Sequence, residues 1–373
     1  MRSAAIAVFL LAYYFFFSWD RVKTHFAEDD MMNMGIYFRL GPGRALASQF
    51  LLWKNFYRPM GAAFYMPLHH WFGLNPQPFQ TTILILLAVN LFLEYGLARA
   101  LGCRRLVSAL AALIVAYQAS LSNLEYNIDM VYDVLCFTFF VGALIYYVRI
   151  RGQGRGLGWG ELVVFLLLYL CALNSKEMAL TFPFVLVAYE WCYRGSRGAA
   201  LPGCGPAFQR VPPGGSPAAG QKVWPHNLAV ILVFALCLLS FYGKSFGAGA
   251  MVRNPAYQPV FTLERFMSFQ KAALRDLFGS FGTPGWRGVV GILALVTYLA
   301  WRRRRPVLRF LWVYMLLTPV PIAFLNGRTQ GALYIPLAGW AIFAAVVFVD
   351  IAEALANFLV QEPLFRRLGQ RLG

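Results

Sequence analysis

The sequence predicts an all-α, polytopic membrane protein with about ten transmembrane helices and outer-face loops that carry amphipathic interfacial helices. Three observations lead there. Of 373 residues, 59% are hydrophobic and only 13% charged, whereas a soluble globular chain carries about 25% charged residues. The apolar residues come in long runs, as they do where lipid is the solvent. The basic residues sit between those runs, as the positive-inside rule expects.

The first run, 3–18, has no small-residue cleavage site and leads straight into an acidic cluster, so it reads as a retained span and not a signal peptide. The other apolar runs lie near 79–101, 106–121, 131–149, 160–174, 178–193, 227–243, 287–301, 307–325 and 331–350. Several are shorter than the roughly 20 residues that an untilted crossing needs. With a cytoplasmic N-terminus, the inside loops receive Arg104–Arg105, Arg149/Arg151/Arg155, the 194–226 linker, Arg302–Arg305 and the tail residues Arg366, Arg367 and Arg371. Every short inside loop is then basic. The linker is rich in Gly, Pro and Ser and reads as a flexible cytoplasmic loop.

The whole of 1–373 therefore reads as one transmembrane domain with two large outer segments, 19–78 and 244–286. Within the second, "FTLERFMSFQKAALRDLF" at 261–278 repeats Leu263, Phe266, Met267, Leu274, Leu277 and Phe278 at helical spacing. Such a helix suits a membrane surface. The net charge of +17 raises nucleic acid as a partner, but basic residues confined between apolar runs argue against it. The six cysteines share no CxxC spacing, so neither a disulfide framework nor a zinc site is expected.

The outer face collects Glu28, Asp29, Asp30, Arg39, Arg58, His69, His70, Glu125, Asp129, Asp133, Lys176, Glu177, Lys244, Arg253 and Arg328. Ionisable groups this close to an apolar core are costly and mark functional sites. Carboxylates beside cations at a membrane surface suit transfer of a sugar from a lipid phosphate. A carboxylate takes the acceptor hydroxyl's proton, and cations stabilise the charge that develops on the leaving phosphate. Hard cations such as Mg²⁺ or Mn²⁺ are the other use for Asp29 and Asp30, although neighbouring acids in an extended loop point apart. Asp30 also reads as the N-cap of a helix that starts at Met31. In "NSKEMAL", 174–180, Lys176 and Glu177 occupy a short turn between two apolar runs. They read either as a snorkelling Lys with a helix-start Glu or as a phosphate site.

Several stretches, in order, look like one family. "FAEDD" follows the first span. "KNFYRPMGAAFYMPLHHWFGLNPQPFQ" carries a Tyr-Arg-Pro segment into a Leu-Asn-Pro turn. "LNSKEMALTFPFVLVAYEW", "RNPAYQPVFTLERF" and "ALYIPLAGWAIF" follow. Together they resemble the GT-C glycosyltransferases, and within them the dolichyl- or polyprenyl-phosphate-mannose O-mannosyltransferase-like proteins of the tetratricopeptide-repeat branch, here without the repeats. The resemblance implies a multi-pass enzyme of a bacterial-type inner membrane with its active site on the periplasmic face. Its donor would be a polyprenyl-phosphate sugar, its acceptor a protein, glycan or lipid hydroxyl. By position, Asp29 becomes the base and Asp30 its companion. Arg58 and Lys176 become phosphate contacts, Glu177 orients Lys176, and Glu28, His69, Arg328 and Tyr334 face the substrates. The rival class is a non-catalytic transporter or flippase for an anionic lipid-linked substrate, which should show inverted repeats and broken mid-membrane helices.

Overall fold

A computed structural model describes residues 2–53, 58–116, 118, 121–193, 227–247, 258–278, 285–303, 305–325 and 330–361. Among them every regular element is helical. In chain order these are α1 (Arg2–Ser18), α2 (Glu28–Leu40), α3 (Pro42–Ser48), α4 (Met60–Phe72), α5 (Pro76–Ala100), α6 (Arg105–Ala116), α7 (Asn123–Tyr126), α8 (Val131–Gly152), α9 (Trp159–Ser175), α10 (Phe182–Tyr193), α11 (Asn227–Phe246), α12 (Leu263–Phe278), α13 (Trp286–Arg302), α14 (Pro306–Leu317), α15 (Val320–Ala323) and α16 (Tyr334–Gln361). Each of the ten apolar runs of the sequence carries a helix among the described residues. Among the described residues, six apolar helical stretches are long enough to cross a membrane: 4–23, 76–100, 128–152, 228–246, 306–323 and 331–359. α6 and α9 are apolar but shorter. Twelve residues of α6 rise only about 18 Å.

Local chemistry sets the helix ends. Asn75 caps α5 by accepting from the Gln77 N–H at 3.1 Å, with Pro76 in the first helical position. α4 stops at Gly73, whose φ of +58° suits a residue without a Cβ. At α9 the Glu161 carboxylate turns back to the Gly158 N–H, at 2.9 Å. α12 buries Phe269, Gln270, Ala273, Leu274, Asp276 and Leu277 and exposes Glu264, Lys271 and Arg275; of the six apolar residues read from the sequence, Leu274 and Leu277 are buried, Phe266, Met267 and Phe278 half-buried and Leu263 exposed. Gln118 donates to the Asp276 and Leu277 carbonyls at its end, at 3.1 and 2.6 Å. The Gly-Pro-Ser linker and the basic tail lie outside the described residues.

α8 is the hub. It is apolar around its circumference and buried along most of its length, as a central helix must be, and it packs against α4, α5, α9 and α16. The peripheral helices instead turn large apolar side chains outward: Phe9 and Phe16 on α1, Leu238 and Tyr242 on α11, Leu295 and Tyr298 on α13, and Phe348 and Leu355 on α16. Contiguous apolar surface on this scale is a liability in water and the natural exterior of a lipid-embedded bundle.

The ion pairs gather at two opposite ends of the bundle. One end holds the finish of α5, α8 and α10 and the start of α6, α9 and α14. There Arg104 pairs with Glu353, Arg151 with Glu190 at 2.8 Å, Arg155 with Glu161 at 2.7 Å, and Arg303 and Arg305 with Asp350. The other end holds the finish of α1, α9 and α11 and the start of α5 and α8, and it carries the acidic cluster. Thr24 at the end of the first span donates to the Tyr126 carbonyl at 2.8 Å, and Arg21 pairs with Glu125.

Candidate functional site

At the acidic end, α2 and α4 lie over the starts of α5 and α8. α2 begins at Glu28, earlier than the Met31 start read from the sequence. Ala27 is its N-cap, and Asp30 stands at the third helical position with its carboxylate turned back to the Ala27 N–H at 2.8 Å. Three acids in the first turn complement the helix dipole, which is why this stretch nucleates earlier than an N-cap reading of Asp30 alone suggests. The helical phase then separates them. Glu28 and Asp29 are exposed, while Asp30 is fully buried. The second Asp30 oxygen accepts from the Tyr65 hydroxyl at 3.1 Å. Burial, assisted by the nearby charges of Asp129 and Asp29, lifts the Asp30 carboxyl to about 6 despite those two hydrogen bonds.

The cations approach from three directions. Arg58 precedes α4 and is the one non-glycine residue with positive φ among the described residues, at +47°. Its guanidinium lies 3.3 Å from Glu177 and 5.0 Å from the centre of the Tyr132 ring. Lys176 ends α9 in extended backbone, φ −156° and ψ 156°, and pairs with the buried Asp133 of α8. Lys244, near the end of α11, reaches Glu177 at 3.7 Å and the Leu173 carbonyl at 3.1 Å. Glu177 thus clasps Arg58 and Lys244. The resemblance implied that Glu177 orients Lys176; Lys176 lies within electrostatic reach of Glu177 but takes Asp133 as its ion-pair partner. Burial pushes the Glu177 carboxyl up, but Arg58, Lys244 and Lys176 outweigh it and hold the carboxyl well below its ordinary value.

Two packing features hold this arrangement. Asn174 donates to the Gln49 backbone and side-chain oxygens at 2.7 and 3.1 Å, and Gln49 donates to the Pro59 carbonyl at 2.6 Å. That chain fixes the segment bearing Arg58 to the end of α9. Gly243 lies so close to the Leu52 carbonyl that an added Cβ would sit 1.9 Å from it. An apolar groove of about 260 Å³ runs along α4, lined by Met60, Phe64, Pro67, Leu68, Leu86 and Leu135 among others.

The structure therefore brings Asp29, Asp30, Arg58, Lys176 and Glu177 to one end of the bundle. Asp129 stands within electrostatic reach of Asp29, Asp133, Lys176 and Arg58. His69 is half-buried with its ring 4.3 Å from that of Phe38, a contact between α4 and α2. Tyr334 is buried, stacks on Phe137 at 4.1 Å and lines a small cavity with Tyr14, Leu87, Leu91 and Glu125. Arg328 and Tyr57 lie outside the described residues.

A divalent cation does not fit the two aspartates. Both Asp30 oxygens already accept from N–H and O–H donors, and no group of three or more potential ligands among the described residues is placed to hold a metal. Sequence reasoning placed Asp133 and Lys244 on the outer face but gave them no role, and it missed Tyr37, Tyr65 and Tyr132 altogether. The i, i+4 spacing of Asp129 and Asp133 at the start of an apolar run was the available signal for the first of these.

Fold and site define a helical, membrane-embedded protein with a cluster of carboxylates and cations at one end. No family model matches the chain, and neither a curated protein nor a solved structure does.

Proposed function

We propose that this protein is a membrane glycosyltransferase of the mannosyl type. It would move a sugar from a polyprenyl-phosphate donor to an acceptor hydroxyl at the outer, periplasmic face of a bacterial-type inner membrane. The observation that carries this reading is the gathering of exposed Asp29 and of Arg58, Lys176 and Lys244, from four separate segments, at one end of the bundle, where Asp129 stands within electrostatic reach of Asp29, Arg58 and Lys176. In this reading all ten apolar helices lie in the membrane.

Asp29 takes the proton of the acceptor hydroxyl. The acceptor oxygen bonds to the anomeric carbon as the bond from that carbon to the phosphate oxygen breaks. The electron pair leaves with the polyprenyl phosphate, whose charge Arg58, Lys176 and Lys244 stabilise. A single displacement inverts the anomeric centre, since retention needs a carboxylate nucleophile. Asp30 fixes the start of α2 and so the position of Asp29. No step requires a metal.

The test is Asp29→Asn in purified protein given a labelled polyprenyl-phosphate sugar. Transfer should fall by at least about a hundredfold with donor binding retained, and unchanged transfer overturns the assignment. One observation favours the transporter or flippase reading: Glu94 is fully buried in α5, with neither carboxylate oxygen hydrogen-bonded, and an intramembrane carboxyl commonly serves ion or substrate passage. Lipid flipping that needs Glu94 and survives Asp29→Asn would favour that class.

A further inference from the structure

A line of three tyrosines joins the acidic side of the cluster to the cationic side. The Tyr65 hydroxyl donates to Asp30 at 3.1 Å, and its ring stacks on Tyr37 with centroids 5.9 Å apart. The Tyr37 hydroxyl donates to the Arg58 backbone carbonyl at 2.9 Å and lies 2.8 Å from the Tyr132 hydroxyl. A phenol has one proton. With that of Tyr37 committed to Arg58, the Tyr132 hydroxyl donates to the Tyr37 oxygen. The Tyr132 ring in turn lies under the Arg58 guanidinium. Tyr37, Tyr65 and Tyr132 are all fully or almost fully buried.

Arg58 needs such support. A left-handed arginine is strained, and strain of this kind persists only where the surroundings fix it. Here the Tyr37 hydroxyl holds the backbone and the Tyr132 ring holds the side chain. Gly61 makes the approach feasible, because a Cβ there would stand 2.3 Å from the Tyr37 hydroxyl and 2.6 Å from the Tyr132 ring.

We infer that Tyr37 and Tyr132 are positioning residues for the anion site: their paired hydroxyls hold Arg58 in its left-handed conformation so that its guanidinium is presented to a lipid phosphate. The inference rests on the proposed donor class. It adds that phosphate affinity is set by two phenols which themselves touch no substrate. Tyr65 carries the same frame to Asp30, so the acid and the cation are mounted on one rigid stack.

The experiment measures binding of undecaprenyl phosphate to the full-length protein in nanodiscs. Wild type, Arg58→Ala, Tyr37→Phe, Tyr132→Phe and the two double variants that combine each Phe with Arg58→Ala are compared. Each Phe variant should bind about tenfold more weakly than wild type, the effect of one buried hydrogen bond supporting a strained residue. Added to Arg58→Ala, neither should weaken binding further, because the frame then has nothing to present. A general loss of stability would weaken both backgrounds alike, so the non-additivity separates positioning from mere structure. If Tyr37→Phe does not fold, Tyr132→Phe carries the same comparison. Wild-type-like binding in the Phe variants, or additive losses, overturns the inference while leaving the donor class intact. If wild type does not bind undecaprenyl phosphate, or Arg58→Ala binds it as wild type does, the donor class itself fails.

Discussion

Asp30→Asn tests the electrostatics of the acidic cluster without reference to a substrate. The carboxyl is fully buried and stands near Asp129 and Asp29, and its pKa rises from 3.8 to about 6. A shift of that size corresponds to about 3 kcal/mol. The sign follows from proton linkage. Because the folded value is raised, the folded state binds the proton more tightly, and stability falls as pH rises from about 4 through about 6. Asparagine removes this titration. It keeps one acceptor for the Ala27 N–H and turns an amide toward Tyr65, a constant offset of about 1 kcal/mol. Wild type should therefore be the more stable near pH 4 and Asp30→Asn the more stable near pH 7, by about 2 kcal/mol. Apparent Tm in detergent, followed by intrinsic fluorescence, reads the swing as about 3–6 °C in a chain of this size. Comparing the two proteins at each pH cancels groups that titrate alike in both. Parallel pH profiles would refute the claim that Asp30 is a perturbed, buried acid.

Glu177→Gln should behave in the opposite way. Its carboxyl is held below the ordinary 4.5, so its contribution is fully present above that pH and lost only as pH falls through the lowered value. The variant should be destabilised by about 2–3 kcal/mol, discounted for partial exposure, with a constant difference from wild type between pH 5 and 8 in the same melt. Gly243→Ala places a Cβ 1.9 Å from the Leu52 carbonyl, a backbone atom that cannot turn aside. It should cost at least about 3 kcal/mol and show as loss of monodisperse protein in size-exclusion chromatography. Arg151→Ala removes the guanidinium from the Glu190 carboxylate at the opposite end of the bundle, leaving it the Tyr147 hydroxyl. It should lower stability by about 3 kcal/mol while leaving lipid-phosphate binding unchanged. Lys176→Ala should weaken that binding about tenfold or more, measured by native mass spectrometry.

The positions of the apolar helices were legible because hydropathy and helical periodicity are local properties. Each of the ten runs carries a helix among the described residues, and α12 is amphipathic, although its buried face centres on Phe269, Ala273, Leu274 and Leu277 and leaves Leu263 exposed. Glycine and proline marked several of the ends, as at Gly73 and Pro76. The partition of charges between the ends was legible for the same reason: a helix of known length carries its two termini to opposite ends of a bundle. What the sequence did not reveal was pairing. Lys176 and Glu177 are neighbours, yet they take partners 43 and 119 residues away, and only packing decides that. The three tyrosines were hidden because a tyrosine near a span end reads equally well as an interfacial anchor. Asp30 was misplaced by one helical turn, since three successive acids admit more than one starting point for α2.

The central proposal is that Arg58, Lys176 and Lys244 form a phosphate site at the acidic end of the bundle. The most direct test compares binding of a polyprenyl phosphate and of the unphosphorylated polyprenol of the same length to wild-type protein in nanodiscs. The account predicts that the phosphate binds at least about a hundredfold more tightly, as expected of several charge-assisted contacts. Equal affinity for the two lipids would contradict it.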